Sequence, residues 1–306
     1  MKKNKTIDCL GMGIVPFDLL FSVNKYPKAE MKIDAADFKM QGGGPIPNVT
    51  VGLSRLDYST ALIAVVGNDV IGDLGISELE SEKVICDFVI KKKQSSAVAS
   101  GWIEKDSGRR TMVLSRKIFI RPDDLMLSDY PIPKIIHLDG RDMPATLKLA
   151  RWAKKSGAVV SFDIGSIRND VSSVFPLVDH LVVADSYALP FTKSRTAKQA
   201  ILKLKKICKG TIIVTEGIKG SLGFENEQFY HQPAYKVNTI DTTGAGDAFH
   251  VGYLYGLLKN KRLPSRMKLG AVVAALKCTK PGARTGLPNV KQLNKFLKTD
   301  LKSYMS

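Results

Sequence analysis

The sequence predicts an α/β fold: a three-layer α/β/α sandwich around a mostly parallel sheet, with a second, small β-sheet beside it. Two observations carry that prediction. Residues 134–213 alternate short apolar runs (135–138, 158–163, 178–183 and 211–214) with segments of helical spacing (145–155 and 196–208), and such alternation packs as parallel strands joined by right-handed crossovers. Residues 16–41 and 95–116 instead hold extended runs at 17–23, 31–41, 96–103 and 111–115, the last two joined through Lys105-Asp106-Ser107-Gly108, a good hairpin turn. With 306 residues, 44% of them hydrophobic, the chain can bury a substantial core, and residues 1–306 read as one domain into which the small-sheet strands are inserted.

In chain order, residues 6–12 form a first buried strand ending at Gly11-Met12-Gly13. A dinucleotide-binding turn would need a third glycine where Pro16 stands and a helix straight after, so that reading fails. Asp18 follows among apolar residues, where a carboxylate without a partner is costly. Gln41-Gly42-Gly43-Gly44-Pro45-Ile46-Pro47-Asn48 then opens an amphipathic run over 49–56. Its glycines let backbone approach a ligand, and Asn48 offers both a donor and an acceptor, as a polyol requires. Residues 60–66, 70–81 and 84–90 read as strand, helix and strand. Thr215-Glu216-Gly217-Ile218-Lys219-Gly220-Ser221 is a glycine turn after the strand at 211–214, residues 235–240 read as a strand end, and 248–258 carry apolar residues at helical spacing.

Between those last two segments lies Asp241-Thr242-Thr243-Gly244-Ala245-Gly246-Asp247-Ala248-Phe249, which puts glycines where a helix begins. A helix start has unpaired N–H groups and the positive end of the peptide dipoles, and glycine removes the Cβ that would fend off a phosphate. A carboxylate beside such an anion cradle repels the anion unless it has work to do. The economical role for Asp247 is general base, taking the proton of an attacking hydroxyl while the Ala245, Gly246 and Asp247 amides hold the charge that develops on phosphorus. The bland alternative is a glycine-rich N-cap with Asp247 as an ordinary dipole partner.

These nine residues resemble the C-terminal signature of the PfkB (ribokinase-like) carbohydrate kinases, matching its DTxGAGD form throughout, and the likeness runs over nearly the whole chain. Gly13 to Asp18 fits a G-x-x-x-x-D spacing, Gly42, Gly43 and Asn48 fall on the sugar-contacting positions, and Gly67-Asn68-Asp69-Val70-Ile71-Gly72 matches the VGxDxxG turn. Residues 215–220 resemble the T-x-G-x-x-G nucleotide turn and 274–284 the helix and loop beneath adenine. In character the chain is similar to the ketohexokinase and sulfofructose kinase types. The resemblance implies ATP-dependent phosphorylation of a hydroxymethyl group on a sugar or related molecule, with Mg²⁺, Asp247 as base and Gly244, Ala245 and Gly246 as anion hole. It implies Asp18, Gly42, Gly43 and Asn48 on the acceptor, Thr215, Gly217, Gly220, Thr243, Lys280, Gly282 and Ala283 on the nucleotide, and a K⁺ ion at Asp241 and Thr243. The small sheet becomes a lid over the sugar that pairs with its copy in a homodimer. The chain departs from the family at Pro45 and Pro47, where alanines are expected, and at Ala184-Asp185-Ser186-Tyr187, where many members carry an NxxE motif for magnesium. Asp185, or waters and phosphate, can take over that task.

Two other functions stay open: a nucleoside kinase of the same fold, whose lid aromatics would stack a base, and a non-catalytic sugar or nucleotide sensor, which would have no need of Asp247. Arg141 follows the strand at 135–138, and ligands gather beyond the carboxyl ends of such strands, so Arg141, with Lys32 and Arg116 from the lid, is expected to clamp an anionic acceptor such as a sugar phosphate or sulfonate. The competing reading pairs Arg141 with Asp139 or Asp142. The net charge of +17 is scattered over lysines such as Lys203, Lys205, Lys206, Lys209, Lys291, Lys295, Lys298 and Lys302 with no aromatic-interleaved basic motif, which reads as solvated helix faces and no nucleic-acid partner. Cys9, Cys86, Cys208 and Cys278 are far apart, which implies reduced thiols and no structural zinc. Residues 1–5 are basic, but Asp8 interrupts the apolar run and no cleavage site follows, so a cytoplasmic protein with no membrane partner is expected. No GxxxxGK[ST] occurs, which excludes a P-loop kinase.

Overall fold

The computed structural model describes residues 6–105, 110–165 and 170–303; the expected turn at 106–108 lies outside them. In chain order the strands are β1 (Cys9–Met12), β2 (Phe17–Val23), β3 (Asp37–Gly42), β4 (Thr60–Gly67), β5 (Val89–Lys92), β6 (Val98–Glu104), β7 (Arg110–Ser115), β8 (Ile135–Leu138), β9 (Val159–Ile164), β10 (His180–Ala184), β11 (Thr211–Thr215), β12 (Ser221–Glu225) and β13 (Gln228–Gln232). The helices are α1 (Pro45–Arg55), α2 (Val70–Ser81), α3 (Met143–Ser156), α4 (Asp185–Thr192), α5 (Ala197–Leu204), α6 (Ala245–Leu258), α7 (Leu263–Cys278) and α8 (Val290–Ser303).

The main sheet runs β13-β12-β11-β10-β9-β8-β1-β4-β5; every pairing from β11 to β5 is parallel, and β12 and β13 add an antiparallel edge. Its strands are apolar on both faces because both faces are covered. Leu10, Ile63, Ile136, Leu181 and Ile212 enter one core with α3, α4 and α5, while Cys9, Leu62, Ile135, Val182 and Ile213 enter the other with α1, α2, α6, α7 and α8. That alternation is the period-two geometry of a strand. Side chains cap two helix starts: Asp69 accepts from the Gly72 amide at the start of α2, and Thr196 from the Gln199 amide at the start of α5.

The second sheet, β3-β2-β6-β7, pairs β2 with β6 in parallel and its other neighbours antiparallel. Register puts Phe21, Phe38, Trp102 and Thr111 in one row and Leu19, Met40, Ser100 and Val113 in the next on the same face. That face stays exposed, with Phe38 at 47%, Trp102 at 40% and Val113 at 62%. The opposite face carries Asp18, Lys39 and Gln41, and Lys39 Nζ donates to the Thr285 hydroxyl of the main body.

Several sequence expectations need correction. The strand expected over 31–41 begins at Asp37, where Ser22↔Asp37 is the last β2–β3 pair. The strand expected over 84–90 is displaced: Ile85 makes an isolated bridge to Ala61, and the ladder resumes at Val89–Lys92. Residues 235–240 form no strand; the Ile240 and Asp241 amides donate to the Cys278 carbonyl instead. The β12–β13 hairpin, turning through Asn226 and Glu227 at positive φ, and the short helix α4 carried no sequence expectation. Among the described residues no helix is long and apolar enough to cross a membrane.

Candidate active site

Helix α6 begins within the glycine stretch. Gly244 precedes α6 in the left-handed region (φ +72°), and a Cβ on it would lie 2.9 Å from that of Ala283. The Ala245 amide already donates to the Thr242 carbonyl at 3.1 Å, so the three-amide anion hole is not assembled as expected in this conformation. Gly246 faces open space: beyond its chain neighbours and the backbone of its own helix, no atom of the described residues lies within 4 Å of where its Cβ would be.

Asp247, in the first turn of α6, accepts a hydrogen bond from Asn48 Nδ2 of α1 at 2.6 Å. Asn48 Oδ1 accepts in turn from Arg284 Nε at 2.9 Å. Arg284, 4% exposed, also donates to the Gly43 carbonyl at 3.0 Å and to Glu78 Oε1 at 3.0 Å, and Glu78 Oε2 accepts from the Gly42 amide at 2.5 Å. Burial pushes the Arg284 guanidinium below its usual value, with Glu78 and Asp18 opposing, so the carboxylates are what make the buried charge tolerable. Asp18 is 7% exposed and lies so close to Gly43 that any side chain there would overlap its carboxylate. One network therefore gathers Asp18, Gly42, Gly43, Asn48 and Asp247 as expected. It adds Arg284 and Glu78, which sequence reasoning missed; Arg284 ends a motif the sequence displays, whereas nothing local marks Glu78 in the last turn of α2.

Two cavities meet at Gly246. One, of about 260 Å³, is lined mainly by apolar and small groups including Tyr235, Val237, Phe249, Ala271, Ala275 and Cys278. The other, of about 280 Å³, is walled by Asp163, Ala184, Asp185 and His250. Thr215 and Gly217 line both, and Gly220 the first. Asp185 thus lines the polar cavity, while Tyr187, the last residue of the altered NxxE stretch, is buried and stacked on Phe191. His250 Nε2 meets Asp163 Oδ1 at 3.1 Å, and its ring lies 4.9 Å from that of His137. Thr243, Lys280, Gly282 and Ala283, expected on the nucleotide, line neither cavity: Lys280 is exposed, Ala283 packs on Gly244, and Thr243 and Gly282 donate to Asp241.

Around Asp241, the Thr243 amide and hydroxyl donate to Oδ1 at 2.8 and 2.7 Å and the Gly282 amide to Oδ2 at 2.7 Å. The Asp241 main-chain carbonyl accepts from Lys277 Nζ at 2.6 Å. The Asp241 oxygens, at one of the two positions expected to hold K⁺, are thus engaged by the chain itself.

The three basic residues expected to clamp an anionic acceptor are not brought together as a clamp. Arg116 pairs with Asp142 and donates to the Ile118 carbonyl at 3.0 Å; Arg141 Nε stands 3.4 Å from Asp139 Oδ2; Lys32 is exposed between β2 and β3. A buried or half-buried arginine takes the nearest carboxylate, and the loop between β8 and α3 supplies two.

A sequence profile described as pfkB family carbohydrate kinase matches residues 6–290. The chain is 25% identical over 303 residues to a deoxyribokinase of Salmonella typhi, covering 95% of this chain and 99% of the relative. It is 24% identical over 291 residues to a ribokinase of Lactococcus lactis, covering 94% and 96%. An Arabidopsis thaliana ribokinase solved with ribose and ATP superposes with a TM-score of 0.83 over 96% of this chain and 99% of that one; at 23% identity this likeness speaks for the fold alone.

Proposed function

The chain belongs to the pfkB family of carbohydrate kinases, and we propose that it transfers the γ-phosphoryl group of ATP to a hydroxymethyl group of a sugar or sugar derivative, with Asp247 as general base. One observation carries this reading. Asp247 touches Asn48, whose network reaches Gly43 and its neighbour Asp18, while the adjacent Gly246 opens onto both cavities. Acceptor and donor would therefore meet at a single turn.

The apolar cavity suits a purine, and the start of α6 suits its phosphates. On the other side Asp18 and Asn48 would take acceptor hydroxyls. Asn48 fixes the plane of the Asp247 carboxylate, which takes the proton as the acceptor oxygen bonds to phosphorus and ADP leaves. Asp163 and Asp185, oxygen donors on the polar cavity wall, suit a Mg²⁺ that keeps much of its water. When bound with ATP, Mg²⁺ offsets the charge of the phosphates.

The exposed face bearing Phe38, Met40, Trp102 and Val113 supports pairing with a second copy of the chain, since a face this apolar is rarely left in water. A monomer by sedimentation, unchanged in Trp102→Glu, would remove that part of the reading. The same function fits the cytoplasm, where ATP is supplied.

The deciding experiment is ATP consumption with Mg²⁺ across pentoses, ketohexoses, phosphorylated and sulfonated sugars and nucleosides, with products identified by mass. The relatives' names make ribose and deoxyribose the first acceptors to try. Phosphorylation of a sugar hydroxymethyl is expected; turnover of nucleosides alone, or of nothing, overturns the reading.

A further inference from the structure

Lys277, in the last turn of α7, is fully buried, its side chain 0% exposed. An ammonium taken out of water survives beside partners that replace its hydration. Nζ donates to the Asp241 carbonyl at 2.6 Å and stands 4.0 Å from Asp241 Oδ2. Burial works against the charge on that carboxylate, but the Thr243 hydroxyl and amide, the Lys277 charge and the Gly282 amide outweigh it, and the Asp241 carboxyl lies below its ordinary value of 3.8. The next residue, Cys278, accepts the Ile240 and Asp241 amides at 2.8 and 3.2 Å. The turn that feeds the anion cradle is thus tied to the end of α7 through its carbonyl, its carboxylate and its amides.

A K⁺ ion at Asp241 and Thr243 would draw on the same oxygens. The carbonyl holds the Lys277 ammonium, Oδ1 the Thr243 donors and Oδ2 the Gly282 amide. A second cation would also face the ammonium across a buried gap, where like charges repel strongly. These residues do not fit such an ion. They fit a cation that the chain carries itself.

We propose that Lys277 is a positioning residue whose ammonium does what a bound monovalent cation would do: it balances Asp241 and holds the 240–245 turn, so that Gly246 and Asp247 are set for phosphoryl transfer with no K⁺ required. The inference rests on the kinase reading of that turn for its consequence on turnover, and on the buried contact alone for its consequence on ion binding.

The test uses the full chain in chloride salts of Na⁺, K⁺, NH₄⁺ or N-methylglucamine at matched ionic strength, with two readouts: turnover of an accepted sugar, and the thermal midpoint without substrate or nucleotide. The native protein is expected to be indifferent to the cation in both. In Lys277→Ala, turnover is expected to drop about tenfold or more and to recover in part with K⁺, NH₄⁺ or methylamine but not with N-methylglucamine, with the midpoint rising in the same ions. Lys277→Arg, which keeps the charge, should remain indifferent. Specific activation or stabilisation of the native protein by K⁺ overturns the proposal, whatever the variants do. So does a Lys277→Ala protein that keeps full turnover in every salt. If no sugar is turned over at all, the kinase reading fails while the midpoint series still decides whether Lys277 excludes the ion.

Discussion

Asn48 Nδ2 and Asp247 Oδ2 lie 2.6 Å apart, a hydrogen bond between residues 199 positions apart in the chain. It turns an asparagine expected to hold sugar hydroxyls into one that holds the proposed base, Asp247. Asn48 is itself fixed by Arg284, so the orientation of Asp247 is set by α1 and by the loop after α7 together. A general base works when its oxygen is held within hydrogen-bond reach of the proton it must take, which this chain of contacts provides.

Asp247→Asn should leave sugar and ATP affinity within a few-fold of the native protein while kcat falls by roughly 10²-fold or more. The amide is isosteric and can still present an oxygen to Asn48, so geometry survives and basicity does not. Steady-state kinetics with calorimetric binding separate the two; unchanged turnover would remove Asp247 from the mechanism.

Arg284→Met should cost about 3 kcal/mol of stability, the range for breaking a buried charge pair. It leaves the Gly43 carbonyl, Asn48 Oδ1 and Glu78 without their donor. Urea denaturation reads the loss, and kcat should fall as well because Asn48 is released. A fall in stability with native kcat would make Arg284 a support of the fold alone.

Arg141→Met should affect neutral and anionic acceptors alike, since the guanidinium is already beside Asp139. The comparison is kcat/KM for a sugar and its phosphorylated counterpart. A selective loss of about tenfold or more for the anionic acceptor would restore the clamp that the sequence suggested.

Stability should decline on acidification before the carboxylates are reached. Burial first, then the neighbouring His250, holds His137 down from 6.5 to about 3; burial first, then Arg266, holds His180 down to about 4. Both are therefore neutral in the folded chain while the unfolded chain binds protons below pH 6.5. Their contribution is complete above that value and is lost progressively as pH falls toward 4, at a slope of at most two protons, roughly 2–3 kcal/mol per pH unit. Urea midpoints across that window test it, and His137→Gln should flatten the slope. A midpoint independent of pH there would mean that the two imidazoles are reached by water.

The amino-acid order alone determined the parallel sheet, the separate β-sheet and the glycine-marked start of α6, because apolar periodicity and glycine spacing are properties of neighbouring residues. The same local character explains the errors. The 31–41 and 235–240 runs have strand composition, yet a strand needs a partner along its edge; the Met31 amide turns back to the Lys28 carbonyl and the Ile240 amide goes to the Cys278 carbonyl. Tertiary structure alone decided that Asn48 would hold Asp247, that Arg284 and Glu78 would support Asn48, that Arg116 would be taken by Asp142, and that Lys277 would bury its charge against Asp241. Each of these is a polar group removed from water, and which partner it then takes depends on what packing brings within about 3 Å of it, not on its neighbours in the chain.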